Sequence, residues 1–263
     1  MKLQSFLFAL AAVAAGPAAA EDFASDWALA SKAEARLIAG PSGEAAVEVR
    51  LAPGAITYWR NPGDSGAPPT FDFAGSQNLA RAEPAFPAPK RIVEADGSEA
   101  FGYDGAVVFP IAVAAVDPDR PLALKLKLNY AVCEKLCLPA KAELALTLPR
   151  TGPSPYAGLV AAADAEVPRP SALAALGGSL EAAGSGAWRF CIKDEPGPPR
   201  DLFVEAPTGW WFETRPEAPA DGRACFALSL QQKPDGARLP VDVRATLTGG
   251  AGPREFPLAL AAS

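Results

Sequence analysis

The 263-residue sequence predicts an all-β protein made of two β-sandwich domains in tandem. Three observations predict it. Apolar and polar residues alternate at period two along most of the chain, the pattern of half-buried strands. Gly (23) and Pro (28) are abundant, which favours short strands joined by turns over long helices. A Pro- and Ala-rich stretch, 151–170, separates two strand-patterned regions, each long enough for its own core.

In chain order, residues 1–20 read as a cleaved signal peptide. Lys2 is the positive start, Phe6 to Ala15 is the apolar run, Gly16-Pro17 breaks it and Ala18-Ala19-Ala20 is the small-residue cleavage site, leaving Glu21 first. The run is too short for a membrane span of roughly 30 Å, and no later segment is long and apolar enough, so no direct span is expected. Residues 21–150 form the first domain. Val47, Val49 and Leu51 alternate with Glu48 and Arg50. Leu122, Leu124, Leu126, Leu128 and Tyr130 alternate with Lys125, Lys127 and Asn129, and Leu144, Leu146 and Leu148 mark the next strand. Asn61 to Gly66, Ala95 to Ser98 and Asp117 to Asp119 carry turn chemistry. In the 151–170 linker, Ser154 as N-cap and Pro155 at N1 predict a short helix through about Glu166. Residues 171–263 form the second domain, with strands around Trp188, Phe190 and Ile192, Leu202 and Val204, Phe226 to Leu230, and Val241 and Val243.

Composition narrows the chemistry. With no His there is no Ser-His-Asp triad, Cys-His dyad or imidazole metal cage. The one Met is the initiator, so a Met-rich soft-metal site is excluded. A net charge of −6 argues against nucleic acid as a partner. Export to an oxidising compartment makes disulfides the expected state of the four cysteines.

Their spacing suggests pairing within each domain. Cys191 and Cys225 share parity with polar neighbours (Arg189, Lys193, Arg223) while Phe190, Ile192, Phe226 and Leu228 take the other face. A bridge between adjacent strands, off the main core, fits this. Closing a loop of about 35 residues contributes roughly 3.8 kcal/mol in the chain-entropy model, so this pair reads as a structural disulfide. Cys133 and Cys137 would face each other across a three-residue hairpin connection, Glu134-Lys135-Leu136. A five-residue loop contributes only about 2 kcal/mol. Lys135 favours a thiolate there and Glu134 opposes it. Spacing alone leaves an exchangeable pair and a small structural staple open, and a four-thiolate zinc site would require both domains to converge. Tyr58 and Trp59 read equally as sandwich aromatics, and Trp210-Trp211 as a partner patch or a domain contact.

Three stretches add a resemblance. Ile56 to Gly66 (Ile-Thr-Tyr-Trp-Arg-Asn-Pro-Gly-Asp-Ser-Gly), Phe101 to Gly105 and Tyr130 to Pro139, which holds the Cys-x3-Cys followed by Leu-Pro, resemble the N-terminal periplasmic domain of DsbD/ScsB-type thiol:disulfide interchange proteins. The resemblance covers most of 22–150. The second domain is more loosely similar to the extra module of the ScsB branch, which is linked to suppression of copper sensitivity. It implies two immunoglobulin-like β-sandwich domains after a signal peptide, in the periplasm. It also implies a protein-disulfide reductase-like role for Cys133 and Cys137, with no cofactor and no metal. A membrane electron-transfer protein of the DsbD/ScsB/CcdA type would be the donor. Thioredoxin-like proteins or disulfide isomerases would be the acceptors. Cys137 would face the partner and Cys133 resolve the mixed disulfide. A cap loop would shield the pair through an aromatic residue at Phe101, with Glu99, Tyr103 and Tyr58 as neighbouring partner contacts. The alternative from another class is a non-catalytic β-sandwich module that binds a protein and keeps both disulfides as staples.

Overall fold

The computed structural model describes residues 23–262 apart from 65, 95, 96, 150, 151 and 220. The expected signal peptide, parts of the Asn61–Gly66 and Ala95–Ser98 turns and the start of the linker lie outside the described residues.

Alternating sequence becomes two stacked sheets in the first half. One runs, in spatial order, β1 (Ala28–Ala30), β2 (Ala33–Ala39), β3 (Ala45–Leu51), β9 (Ala106–Ala115) and β6 (Leu79–Pro84). The other runs β11 (Cys137–Thr147), β10 (Ala123–Cys133), β4 (Ile56–Gly63), β8 (Glu99–Asp104) and β7 (Lys90–Val93), with β5 (Thr70–Asp72) also paired to β10. Leu124, Leu126, Leu128, Leu144 and Leu146 meet Leu37, Val47, Phe109 and Ile111 in the core between them. The intervening Lys125, Lys127, Glu143 and Ala145 face solvent, as period-two patterning requires.

The linker helix, α1 (Ala157–Ala165), begins two residues later than Ser154 and Pro155 predict. The Ser154 hydroxyl is drawn to the Ala39 carbonyl at 2.5 Å, and it accepts from the Tyr156 amide at 3.0 Å, so 154–156 is spent on a turn. The helix lies on the outer face of the first sandwich. Val160 is fully buried against Ile38, Ala46 and Val108. This cover explains why β3 is buried on both faces. Glu48, the buried charged residue on that covered strand, is paired with Arg36 at 2.7 Å and with Arg50 of the same strand at 2.8 Å, as a buried carboxylate must be.

The second sandwich pairs β12 (Arg169–Pro170), β19 (Arg254–Leu260), β18 (Val241–Leu247) and β15 (Leu202–Glu205) in one sheet. The other sheet is β13 (Ser179–Gly184), β14 (Ala187–Lys193), β17 (Arg223–Gln232) and β16 (Trp211–Pro216). Trp188, Phe190, Phe226, Leu228, Phe256 and Leu258 share its core. Cys191 and Cys225 stand directly opposite each other on β14 and β17 and are bonded. They lie on the face away from that core, as their parity requires.

The two sandwiches share apolar and ionic contacts. Phe203 on β15 is fully buried and belongs to the core of the first sandwich. Its ring meets Trp59 edge-on at 6.0 Å and Phe101 at 4.9 Å, and Trp211 stacks on Phe101 at 6.3 Å. Of the two adjacent tryptophans, Trp211 is thus the domain contact, while Trp210 stacks on Phe212 within the second sandwich. The Arg91 guanidinium reaches Asp201 at 2.9 and 3.0 Å, Glu99 at 2.5 Å, Thr214 Oγ1 at 2.9 Å and the Leu202 carbonyl at 3.1 Å. Arg60 chelates Glu205 at 2.7 and 3.0 Å and also pairs with Glu255. Phe203→Ala removes the central ring of this contact. It is expected to lower stability by about 3–5 kcal/mol and to split one urea-unfolding transition into two, read by tryptophan fluorescence.

Candidate functional site

The hairpin between β10 and β11 places Cys133 opposite Cys137 at its last paired position, and the two sulfurs are bonded with Cα atoms 4.0 Å apart. Glu134, Lys135 and Leu136 form the exposed connection, with Leu136 70% exposed. Glu134 is tied to Lys32 in the β1–β2 turn, so the carboxylate beside Cys133 is offset by a cation from the other sheet. The two cysteines differ sharply. Cys133 is 1% exposed, whereas Cys137 is open to solvent.

Paired directly, both cysteines face the same side of the sheet, and the difference comes from their flanks: β10 is followed by β4, whereas β11 is the edge strand. Leu128, Tyr130 and Val132 point into the core, so Cys133 lies on the outer face of its sheet. There a small apolar cluster of Ile56, Tyr58 and Ala100 encloses it, with Ile92 and Ala131 at the edge. Ile56 sits directly across from Cys133, and the Thr57 hydroxyl donates to the Ala131 carbonyl at 2.8 Å. Tyr58 is fully buried and donates its hydroxyl to Cys133 Sγ at 2.8 Å; Cys137 Sγ is 3.5 Å from the same oxygen.

The remainder of the Tyr58–Gly66 motif leaves that ring and returns to it at Gly66. Asn61–Gly63 belong to β4 rather than to a turn: the strand continues to Gly63, which pairs with Ala100, and the Asn61 side chain donates to the Val204 carbonyl at 3.0 Å. The turn follows at Asp64, whose carboxylate accepts from the Glu99 amide at 3.0 Å. Gly66, at φ +91°, lies so close that a Cβ there would fall 2.2 Å from the Tyr58 ring. Gly102, across from Tyr58, leaves no room either: its Cβ would come 2.1 Å from the Thr57 carbonyl oxygen.

The structure brings Cys133, Cys137 and Tyr58 together. Glu99, Phe101 and Tyr103 fall elsewhere. Glu99–Asp104 is a strand rather than a loop, and Phe101 and Tyr103 point to the core face of β8 while Ala100 faces Cys133. The Phe101 ring meets Phe203, Trp211 and the Arg91 guanidinium. Shielding of Cys133, assigned by resemblance to Phe101, comes from Tyr58 and its apolar neighbours. The Tyr103 hydroxyl donates to the Pro87 carbonyl at 2.7 Å, and burial pushes its pKa well above the usual phenol value. Burial pushes the Glu99 carboxyl up, but hydrogen bonds and charge from Arg91 and Arg215 outweigh it and hold the group below its ordinary value. Among the described residues no cluster of His, Cys, Asp or Glu could hold a metal ion. Sequence reasoning missed Arg60, Arg91 and Lys32. For Arg60 a signal existed, since a cation following two buried aromatics on a strand needs a buried partner.

A β-sandwich with a short, half-exposed disulfide at a hairpin tip, backed by a phenol, fits a thiol–disulfide exchange module. Residues 26–149 match the family model for the N-terminal domain of the thiol:disulfide interchange protein DsbD, so this part of the chain is a DsbD-type N-terminal domain. The crystal structure of the N-terminal periplasmic domain of ScsB from Proteus mirabilis is similar, with TM-score 0.73 and 22% identity over 92% of this chain and 100% of that one. That likeness extends the shared fold to both sandwiches. No curated protein matches the chain. Among the described residues no helix is long and apolar enough to cross a membrane.

Two outcomes follow. Tyr58→Phe keeps the packing and removes one hydroxyl hydrogen bond, typically about 1 kcal/mol. Reduction of the Cys133–Cys137 bond by dithiothreitol should slow roughly fivefold, measured by quenched-flow alkylation. Because the Glu99 carboxyl is held below its unfolded value, its contribution is complete above the ordinary carboxylate pKa of about 4.3 and is lost as pH falls through the folded value. Urea midpoints should therefore drop on acidification below that range, and Glu99→Gln should flatten the drop.

Proposed function

We propose that this chain is a periplasmic thiol–disulfide exchange module that passes reducing equivalents through Cys133 and Cys137, from a membrane electron donor of the DsbD/ScsB/CcdA type to oxidised thioredoxin-like or disulfide-isomerase proteins. The observation that carries this reading is the asymmetry of the pair. One sulfur is open, and the other is buried against a hydroxyl that can stabilise it as a leaving group. The DsbD-type domain and the periplasmic setting named for the ScsB structure support the compartment and the class of partner.

The chemistry follows from access. A donor thiolate attacks Cys137 Sγ, the Cys133–Cys137 bond breaks, and its electron pair moves to Cys133 Sγ. The Tyr58 O–H donates to that new thiolate, which then takes a proton. The donor's second thiol attacks the mixed disulfide and releases Cys137, so two electrons and two protons have entered the pair. In the onward step Cys137, as thiolate, attacks an acceptor disulfide. Cys133 then closes on Cys137, and the acceptor leaves as a dithiol. No cofactor takes part.

In this reading Cys191–Cys225 has a separate, structural role. Both residues are about 5% exposed and lie on strands already paired along their length, which suits a structural bridge.

Cys133→Ala leaves Cys137 free at the surface without its resolving mate. It should accumulate mixed disulfides with periplasmic proteins, identified by mass spectrometry of the non-reduced extract, while Cys137→Ala should not. Failure of Cys133→Ala to trap any protein would contradict the exchange role.

A further inference from the structure

The ladder between β4 and β8 breaks at the residue that touches the sulfurs. Ile56, Thr57 and Tyr58 pair with Asp104, Tyr103 and Gly102, and pairing resumes only at Gly63 with Ala100. Residues 59–62 therefore face Phe101 alone and leave the ladder as a bulge, a device that re-aims neighbouring side chains. Their side chains are held from the second sandwich instead. Trp59 lies against Phe203, with the Arg60 guanidinium stacked 4.5 Å above its ring. Arg60 is gripped by Glu205 on β15 and Glu255 on β19, and Asn61 donates to the Val204 carbonyl. Tyr58 is thus fixed from its N-terminal side by the first sandwich and from its C-terminal side by the second. The second sandwich does this without forming part of the cluster around the sulfurs.

We propose that the second sandwich is a control element for the redox pair. Arg60 is a positioning residue that acts through Tyr58: held by Glu205 and Glu255, it keeps the Tyr58 hydroxyl on Cys133 Sγ. When the two sandwiches separate, the bulge is released, the hydroxyl leaves the sulfur and exchange at Cys137 slows. A protein that engages the second sandwich at β15 or β19 would therefore set the reactivity of a disulfide it never touches. This inference rests on the reading of Cys133–Cys137 as an exchangeable pair. It needs no new reactant, because the reduction is the step already written, with an external dithiol as donor.

The test compares the full chain with Arg60→Met, Arg60→Lys, Tyr58→Phe and the double variant Tyr58→Phe/Arg60→Met. Two quantities are read: the rate of reduction of the pair by dithiothreitol, and the pH profile of Cys133 alkylation in the reduced protein. Arg60→Met should slow reduction about as much as loss of the hydroxyl does, roughly fivefold for one hydrogen bond, and shift the alkylation profile to higher pH. Arg60→Lys should recover part of both. In the Tyr58→Phe background Arg60→Met should add nothing, since coupled residues are not additive. Glu205→Gln, which keeps a neutral hydrogen-bonding partner, replaces Arg60→Met if that variant does not fold, and predicts the same pattern. A rate and profile unchanged in Arg60→Met, or a slowing that persists in full on top of Tyr58→Phe, overturns the control role and leaves the exchange role standing. A wild-type pair that dithiothreitol cannot reduce in the folded protein overturns the exchange role itself, and the control role with it.

Discussion

The hydrogen bond from the Tyr58 hydroxyl to the Cys133 sulfur exists because a strand turns successive residues to opposite faces. Tyr58 goes outward to the disulfide and Trp59 goes inward to the core and to Phe203. Arg60 then crosses to the second sandwich. One short segment therefore joins the reactive sulfurs, the main core and the domain contact. The glycines of the same motif serve that packing: Gly66 approaches the Tyr58 ring, and Gly63 approaches the Glu99 carbonyl so closely that a Cβ would fall 2.5 Å from its oxygen.

The two disulfides obey the same geometry with opposite results. Each joins directly facing residues of an antiparallel pair. Cys191–Cys225 lies within a paired ladder, with four residue pairs on one side and two on the other, and closes a separation of 34 residues. Cys133–Cys137 closes a separation of four at the very end of a hairpin, where strand pairing stops and an exposed connection begins. In the entropy model the first contributes nearly twice the second. The short bridge is the one the fold can lose and remake, since β10 and β11 stay paired along the rest of their length.

Much of this was legible in the sequence. The period-two Leu/Lys run of 122–130 defined β10 and its inward face, and cysteine spacing separated the two bridges. The parity of Cys191 and Cys225 placed them off the core. Other features were hidden by distance or by local rules. Arg91 and Asp201 are 110 positions apart and meet only when the two sandwiches pack. Pro257 interrupts the pattern of β19 yet sits within that strand. It is tolerated because β12 pairs only with Arg254 and Glu255, which leaves that edge open at Pro257. The helix start moved because the Ser154 hydroxyl found a strand carbonyl rather than a free helix end. Phe101 was placed at the sulfurs by resemblance alone. Its parity on β8 sends it to the opposite face, where Phe203 and Trp211 enclose it.

The claim on which the functional reading stands is that one of the two disulfides is exchangeable and the other is not. The equilibrium reduction potential of each pair in the same folded protein, obtained by mass spectrometry of alkylated samples across a graded thiol–disulfide buffer, tests it most directly. Cys133–Cys137 should titrate above about −300 mV, within reach of biological dithiols, while Cys191–Cys225 stays oxidised below that value. A Cys133–Cys137 pair that also stays oxidised below about −300 mV would make it a second structural staple and contradict the exchange role.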